Sequence, residues 1–201
     1  MLKPVFSFYS RLRRRAGLLL LLSLISLGTT SVAYASAADK TANILVLGDS
    51  ISAGYGFDPA LGWVTLLSKQ IPETYTVVNA SVSGETSAGG LNRLPALLAE
   101  HQPSIVIIEL GGNDGLRGYP VNTLRKNLQA LINLSIEAGA QPLLLGMKIP
   151  PNYGKRYTEA FAASYAKIAK ANNLPWIDFI LDNIATNSSL MQSDGIHPNA
   201  D

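Results

Sequence analysis

The feature that most constrains this chain is a rhythm. Short runs of β-favouring apolar residues alternate with longer segments of helical periodicity. Ile44-Leu45-Val46-Leu47 and Ile105-Val106-Ile107-Ile108 are apolar without interruption, as strands covered on both faces are. Strands are expected over Asn43–Leu47, Thr76–Asn79, Ser104–Leu110, Pro142–Lys148 and Trp176–Phe179. Helices are expected over Trp63–Gln70, Leu91–His101, Val121–Ala138 and Thr158–Asn172. In the third, Leu124, Leu128, Leu131, Ile132 and Ile136 recur at helical spacing. Gly139 stands where a helix-ending glycine belongs, and Asn172-Asn173 closes the fourth. Strand alternating with helix specifies an α/β protein: a three-layer α/β/α sandwich around a central five-stranded parallel sheet. A length of 201 residues without repeat, linker or low-complexity tract suits one domain.

The N-terminus has a different character. Lys3, Arg11, Arg13, Arg14 and Arg15 precede the apolar run Leu18–Leu22, continued by Leu24, Ile25 and Leu27, and Ala35-Ser36-Ala37 offers small residues for cleavage. That is the layout of a signal peptide over residues 1–37, with residues 38–201 as the mature domain. About 12 mostly apolar residues fall short of the roughly 20 a spanning helix needs, so no stable membrane anchor is expected. Removal of residues 1–37 leaves 11 basic and 14 acidic residues, a net charge of −3. No basic stripe survives to suggest nucleic acid. With no cysteine and only His101 and His197 as histidines, neither disulfides, a cysteine nucleophile nor a metal site is expected.

In open parallel sheets ligands bind beyond the carboxyl ends of the strands, so the strand exits should carry the chemistry. The first strand runs into Gly48-Asp49-Ser50, the second into Ser81-Val82-Ser83-Gly84, and the third into Gly111-Gly112-Asn113-Asp114; Asp194-Gly195-Ile196-His197 follows near the C-terminus. A serine hydroxyl needs an imidazole to take its proton, and that imidazole needs a carboxylate to fix its tautomer. Asp194 and His197, separated by a glycine and one other residue, can fold carboxylate against ring within one turn. A tetrahedral oxyanion needs donors already in place. The N–H groups of Ser50 and Gly84 and the Asn113 carboxamide are the available ones. Ile149-Pro150-Pro151-Asn152-Tyr153-Gly154 leaves another strand exit, and Ile149, Pro150 and Tyr153 are the candidate wall for a substrate chain.

Taken together, Gly48-Asp-Ser-Ile-Ser-Ala-Gly-Tyr-Gly56, Gly84, Gly111-Gly-Asn-Asp114 and Asp194-Gly-Ile-His-Pro-Asn199 resemble, in order, the four blocks of the SGNH (GDSL) hydrolases. Val78–Ser87, Arg93–Leu98, Glu109–Arg117 and Pro151–Gly154 extend the similarity to members that act as acyl-CoA thioesterases, lysophospholipases and arylesterases in the bacterial periplasm. The resemblance covers essentially the whole mature chain. It implies a flavodoxin-like sandwich and a monomeric periplasmic or secreted serine hydrolase. It further implies ester and thioester substrates, catalytic Ser50, Asp194 and His197, an oxyanion hole of Ser50, Gly84 and Asn113, and no cofactor. It also implies a closing C-terminal helix beyond Asp201, whose absence predicts exposed apolar residues on one sheet face or helix flank.

Blander readings stand beside these. Ser50 alone could be a helix cap, and Ser52, Ser81, Ser83 and Ser87 are rival nucleophiles without its context. Asn113 could be a turn residue satisfying its own backbone, and Asp114 and Arg117 read as structural. His101 reads as a helix-end residue rather than a catalytic one. Trp63 and Tyr119 could line a groove but fit plain packing. A carbohydrate O-acetylesterase could use the same four blocks, and a secreted acyl-binding protein could keep the fold without turnover.

Overall fold

The computed structural model describes residues 42–201; the expected signal peptide, residues 1–37, lies outside the described residues. Five strands form one parallel sheet: β1 (Ala42–Gly48), β2 (Tyr75–Asn79), β3 (Ile105–Glu109), β4 (Gln141–Leu145) and β5 (Trp176–Ile177). Their order is β2-β1-β3-β4-β5, the flavodoxin-like arrangement, which reverses direction between β1 and β3. The register places Gly48 opposite Glu109 at that reversal. The exits of β1 and β3 therefore emerge side by side, and with them the Ser50 and Asn113 motifs.

Alternation within the strands decides which face each side chain serves. Leu45, Leu47, Val106, Ile108 and Leu144 pack beneath the three longest helices, α3 (Ser87–His101), α5 (Val121–Glu137) and α6 (Lys155–Ala171). Their neighbours Ile44, Val46, Ile107 and Leu145 face the other way, toward α2 (Trp63–Gln70). Burying each such side chain stabilises the fold by about 1.5–3 kcal/mol, so β1 is anchored from both sides. The β5 edge of the sheet is left open, with Trp176 and Ile177 37% and 49% accessible. Among the described residues no helix is long and apolar enough to cross a membrane.

The departures from the expected elements have local causes. β4 ends at Leu145 rather than Lys148 because Gly146 passes against the backbone of Asp178, leaving no space for a side chain. α3 begins at Ser87, ahead of the expected Leu91, although Gly89 and Gly90 are poor helix formers. The Thr86 side chain caps it by accepting from Gly89 N–H, and at Gly90 a Cβ would run into Leu110. Two one-turn helices, α1 (Ser50–Ala53) and α4 (Gly112–Leu116), are too short to show periodicity. Both start at strand exits.

Candidate active site

Asp49 caps α1, its Oδ1 accepting from Ile51 N–H at 3.1 Å. The turn so fixed holds Ser50 at the first position of the helix, only 8% exposed. The Ser50 hydroxyl lies 2.8 Å from His197 Nε2, across 147 residues of chain. His197 Nδ1 is 2.6 Å from Asp194 Oδ2. With the Nδ1 proton held by that carboxylate, Nε2 is free to accept the serine proton.

The Asp194–His197 turn is built from within. Asp194 Oδ1 accepts from the N–H groups of Ile196 at 2.9 Å and His197 at 3.0 Å. Gly195 at φ +66° makes the reversal without the penalty a side chain would carry there. Burial pushes the Asp194 carboxyl up, but the bonds from the His197 ring and the two N–H groups outweigh it and bring it down to about 2. The Tyr55 ring packs against the imidazole, with centroids 4.6 Å apart and planes tilted by 41°. Gln192 ties the turn to the nucleophile segment: its Nε2 donates to Tyr55 O at 2.7 Å and Pro198 O at 2.8 Å.

Asn113, at the start of α4, donates from Nδ2 to Asp49 Oδ2 at 3.1 Å, which fixes the plane of its amide beside Ser50. Gly84 comes from the β2 exit, held to β1 through the Val82 N–H bond to Gly48 O at 3.1 Å. Its own carbonyl accepts from the Arg117 guanidinium at 3.0 Å. Asp114 is buried and accepts from Ser87 N–H at 2.8 Å and the Ser87 hydroxyl at 2.5 Å. These bonds link α4 to the Gly84 segment, so the segments that carry Asn113 and Gly84 are tied together. Ser87 is thereby engaged structurally rather than as a nucleophile.

A cavity of about 340 Å³ opens beside Ser50, Asn113 and His197. Ile149 and Pro150 line it, with Leu116, Met147, Phe179, Leu181 and Met191. Tyr153 stands outside that wall, its hydroxyl donating to Leu116 O at 2.8 Å. Trp63 packs with the α2-face core, and His101 sits at the far end of α3. The residues that sequence reasoning passed over are Tyr55, Gln192 and Glu109. Only Glu109 carried a signal, a carboxylate inside an otherwise apolar strand.

The chain is similar to known proteins over most of the described residues. The model of the GDSL-like lipase/acylhydrolase family matches residues 46–201. The chain is 51% identical over 158 residues to esterase TesA of Pseudomonas aeruginosa, covering 77% of this chain and 79% of that protein. It is 47% identical over 167 residues to thioesterase 1/protease 1/lysophospholipase L1 of Escherichia coli K12, covering 83% and 79%. The crystal structure of the psychrotrophic esterase EstA from Pseudoalteromonas sp., inhibited by monoethylphosphonate, superposes with a TM-score of 0.74 at 46% identity. That match covers 79% of this chain and 88% of EstA.

Proposed function

The chain belongs to the GDSL-like lipase/acylhydrolase family, and from that premise we propose that it hydrolyses acyl esters and thioesters through an acyl-enzyme on Ser50. The observation that carries the residue assignment is the unbroken relay from Ser50 Oγ to His197 Nε2 at 2.8 Å and from Nδ1 to Asp194 at 2.6 Å. As Ser50 attacks the acyl carbonyl, its proton passes to Nε2, and Asp194 steadies the imidazolium. The N–H groups of Ser50 and Gly84 and the Asn113 amide receive the oxyanion. His197 then gives its proton to the departing alkoxide or thiolate. Water attacks the acyl-enzyme by the same route and frees the carboxylic acid and Ser50.

Every group in this scheme comes from a single chain, so the site needs no second subunit to complete it. The arginine run, apolar stretch and Ala35-Ser36-Ala37 support export to the periplasm or beyond, with residues 1–37 as the signal peptide. An O-acetylesterase would use the same relay, but an acetyl group leaves an apolar cavity of about 340 Å³ mostly unfilled. Each buried methylene adds about 0.8 kcal/mol. A series of aryl esters from acetyl to dodecanoyl, with matching acyl thioesters and an acetylated sugar, therefore tests the substrate reading. The expected result is kcat/KM rising by up to about fifteenfold per added pair of carbons before levelling off. Preference for the acetylated sugar over every longer acyl ester would overturn it.

A further inference from the structure

Beneath the nucleophile lies a carboxyl for which acyl transfer has no use. Glu109, the last residue of β3, is fully buried. Its Oε2 accepts from Asp49 N–H at 3.1 Å and from the Ser52 hydroxyl at 2.6 Å, while Oε1 meets no donor. At Gly48, directly opposite in the sheet, a Cβ would come within 2.7 Å of Glu109 Oε2. The carboxyl is thus wedged under the turn that presents Ser50. Its neighbour is a second buried carboxyl: Asp49 is 2% exposed and within hydrogen-bonding reach of Glu109. Asp49 in turn accepts from Ile51 N–H and from Asn113 Nδ2, both at 3.1 Å.

Two carboxyls in contact inside a core do not both ionise unless a cation compensates them. Among the described residues neither forms an ion pair with lysine or arginine. Of the other titratable groups nearby, a protonated His197 is the one that could supply a cation, and it acts on Asp49 rather than on Glu109. Tyr165 gives its hydroxyl to Leu110 O at 3.0 Å, Asp114 is committed to Ser87, and His197 faces Asp49 from across the site. Asp49 has Ile51 N–H and Asn113 to solvate a charge, whereas Glu109 leaves one oxygen bare. The charge therefore belongs on Asp49 and the proton on Glu109. Burial, reinforced by the Asp49 charge, pushes Glu109 well above the ordinary carboxyl range.

We propose that Glu109 is a positioning residue that stays protonated at neutral pH and donates to Asp49, fixing the carboxylate that aims the Asn113 amide at the oxyanion. The inference rests on the assignment of Asn113 as an oxyanion donor. It explains the wedged carboxyl in two ways. A donating Glu109 locks the Asp49 side chain and the α1 turn together, and a neutral Glu109 keeps a second negative charge away from a site that must stabilise one.

Glutamine reproduces a protonated glutamate and not an ionised one: its oxygen can accept from Asp49 N–H and Ser52, and its amide can donate to Asp49. Glu109→Gln is therefore expected to retain kcat within about threefold, whereas Glu109→Ala loses roughly ten- to a hundredfold in kcat with KM little changed. Infrared spectra of the wild-type protein at neutral pH should show the C=O stretch of a protonated carboxylic acid, and Glu109→Gln should lack it. Absence of that band in the wild type, Glu109→Gln falling as far as Glu109→Ala, or Glu109→Ala turning over at the wild-type rate would each overturn the proposal. If Glu109→Ala does not fold, the band and the Glu109→Gln kinetics decide the matter. Failure of the underlying Asn113 assignment would look different, as Asn113→Ala turning over at the wild-type rate, where loss of an oxyanion donor costs about 10²–10³-fold in kcat.

Discussion

The two ends of the relay are held in different ways. Ser50 stands on a strand exit buried in the middle of the sheet, capped by Asp49 and underlain by Glu109, all three less than a tenth exposed. His197 lies in a surface turn whose hydrogen bonds run mainly within residues 192–198, with Gln192 and Tyr55 as its links to the nucleophile segment. At the first end geometry is inherited from the core, so a change that disturbs it also costs stability: removing a buried leucine such as Leu45 typically costs 2–5 kcal/mol. At the second end geometry is local, and activity can be lost with the fold untouched. With Ser50 proposed as nucleophile on a rigid element and His197 as base on a self-contained turn, stability and catalysis fall on different residues.

The widest separation of the two quantities is expected at Asp194. Asp194→Asn should lower kcat by about ten-thousandfold, because an amide no longer selects the imidazole tautomer that leaves Nε2 free. Its melting temperature should fall by no more than about 4 °C, since asparagine keeps the Oδ1 acceptor for the Ile196 and His197 N–H groups and the part-exposed ion pair it loses is worth about 1 kcal/mol at most. Kinetics and thermal unfolding of the same sample check both halves. A matching collapse in stability would erase the contrast between the two ends.

A smaller effect is expected at Gln192, which bridges them. Gln192→Ala removes the bonds to Tyr55 O and Pro198 O and should cost roughly tenfold in kcat, part of the hundredfold that a misplacement of about 1 Å can cause. Steady-state kinetics with an aryl ester reads it directly. An unchanged kcat would mean that the Tyr55 ring contact and the Asp194 bonds hold the turn without Gln192.

The smallest effect is spectroscopic. The Asp194 carboxyl is held down at about 2 against an ordinary 3.8. A carboxyl lowered on folding supports its turn above the ordinary value and gives up that support as the pH falls through the lowered one. The amide resonances of Ile196 and His197, which donate to Asp194, should therefore titrate with a midpoint of about 2. A midpoint near 3.8 would show that the turn does not hold the carboxylate as described.

The same contrast decides what could be read from the sequence. The five strands and the four long helices were legible because apolar runs and 3.6-residue spacing are written into consecutive residues. The Asp194-Gly195-Ile196-His197 turn was legible for a related reason: its bonds are local, so the spacing carries the geometry. The surroundings of Ser50 were not. Glu109 reads as the end of a strand until the β1–β3 register sets it opposite Gly48, and Gln192 meets Tyr55 across 137 residues. α1 and α4 escaped because one turn has no period, and the early start of α3 because a cap and a close approach to Leu110 overrode two glycines. Of the residues expected to wall the substrate chain, Ile149 and Pro150 line the cavity while Tyr153 stands behind Leu116. Sequence order does not distinguish the two positions.

We propose Ser50 as the nucleophile and His197, reaching it from the surface turn, as the base that activates it. Labelling with a fluorophosphonate, followed by digestion and mass mapping, tests both at once. One covalent adduct is expected, on Ser50, absent in Ser50→Ala and formed at least a hundredfold more slowly in His197→Ala, since general-base assistance contributes about 10²–10⁴-fold. An adduct on any other serine, or labelling at the wild-type rate in His197→Ala, would contradict it.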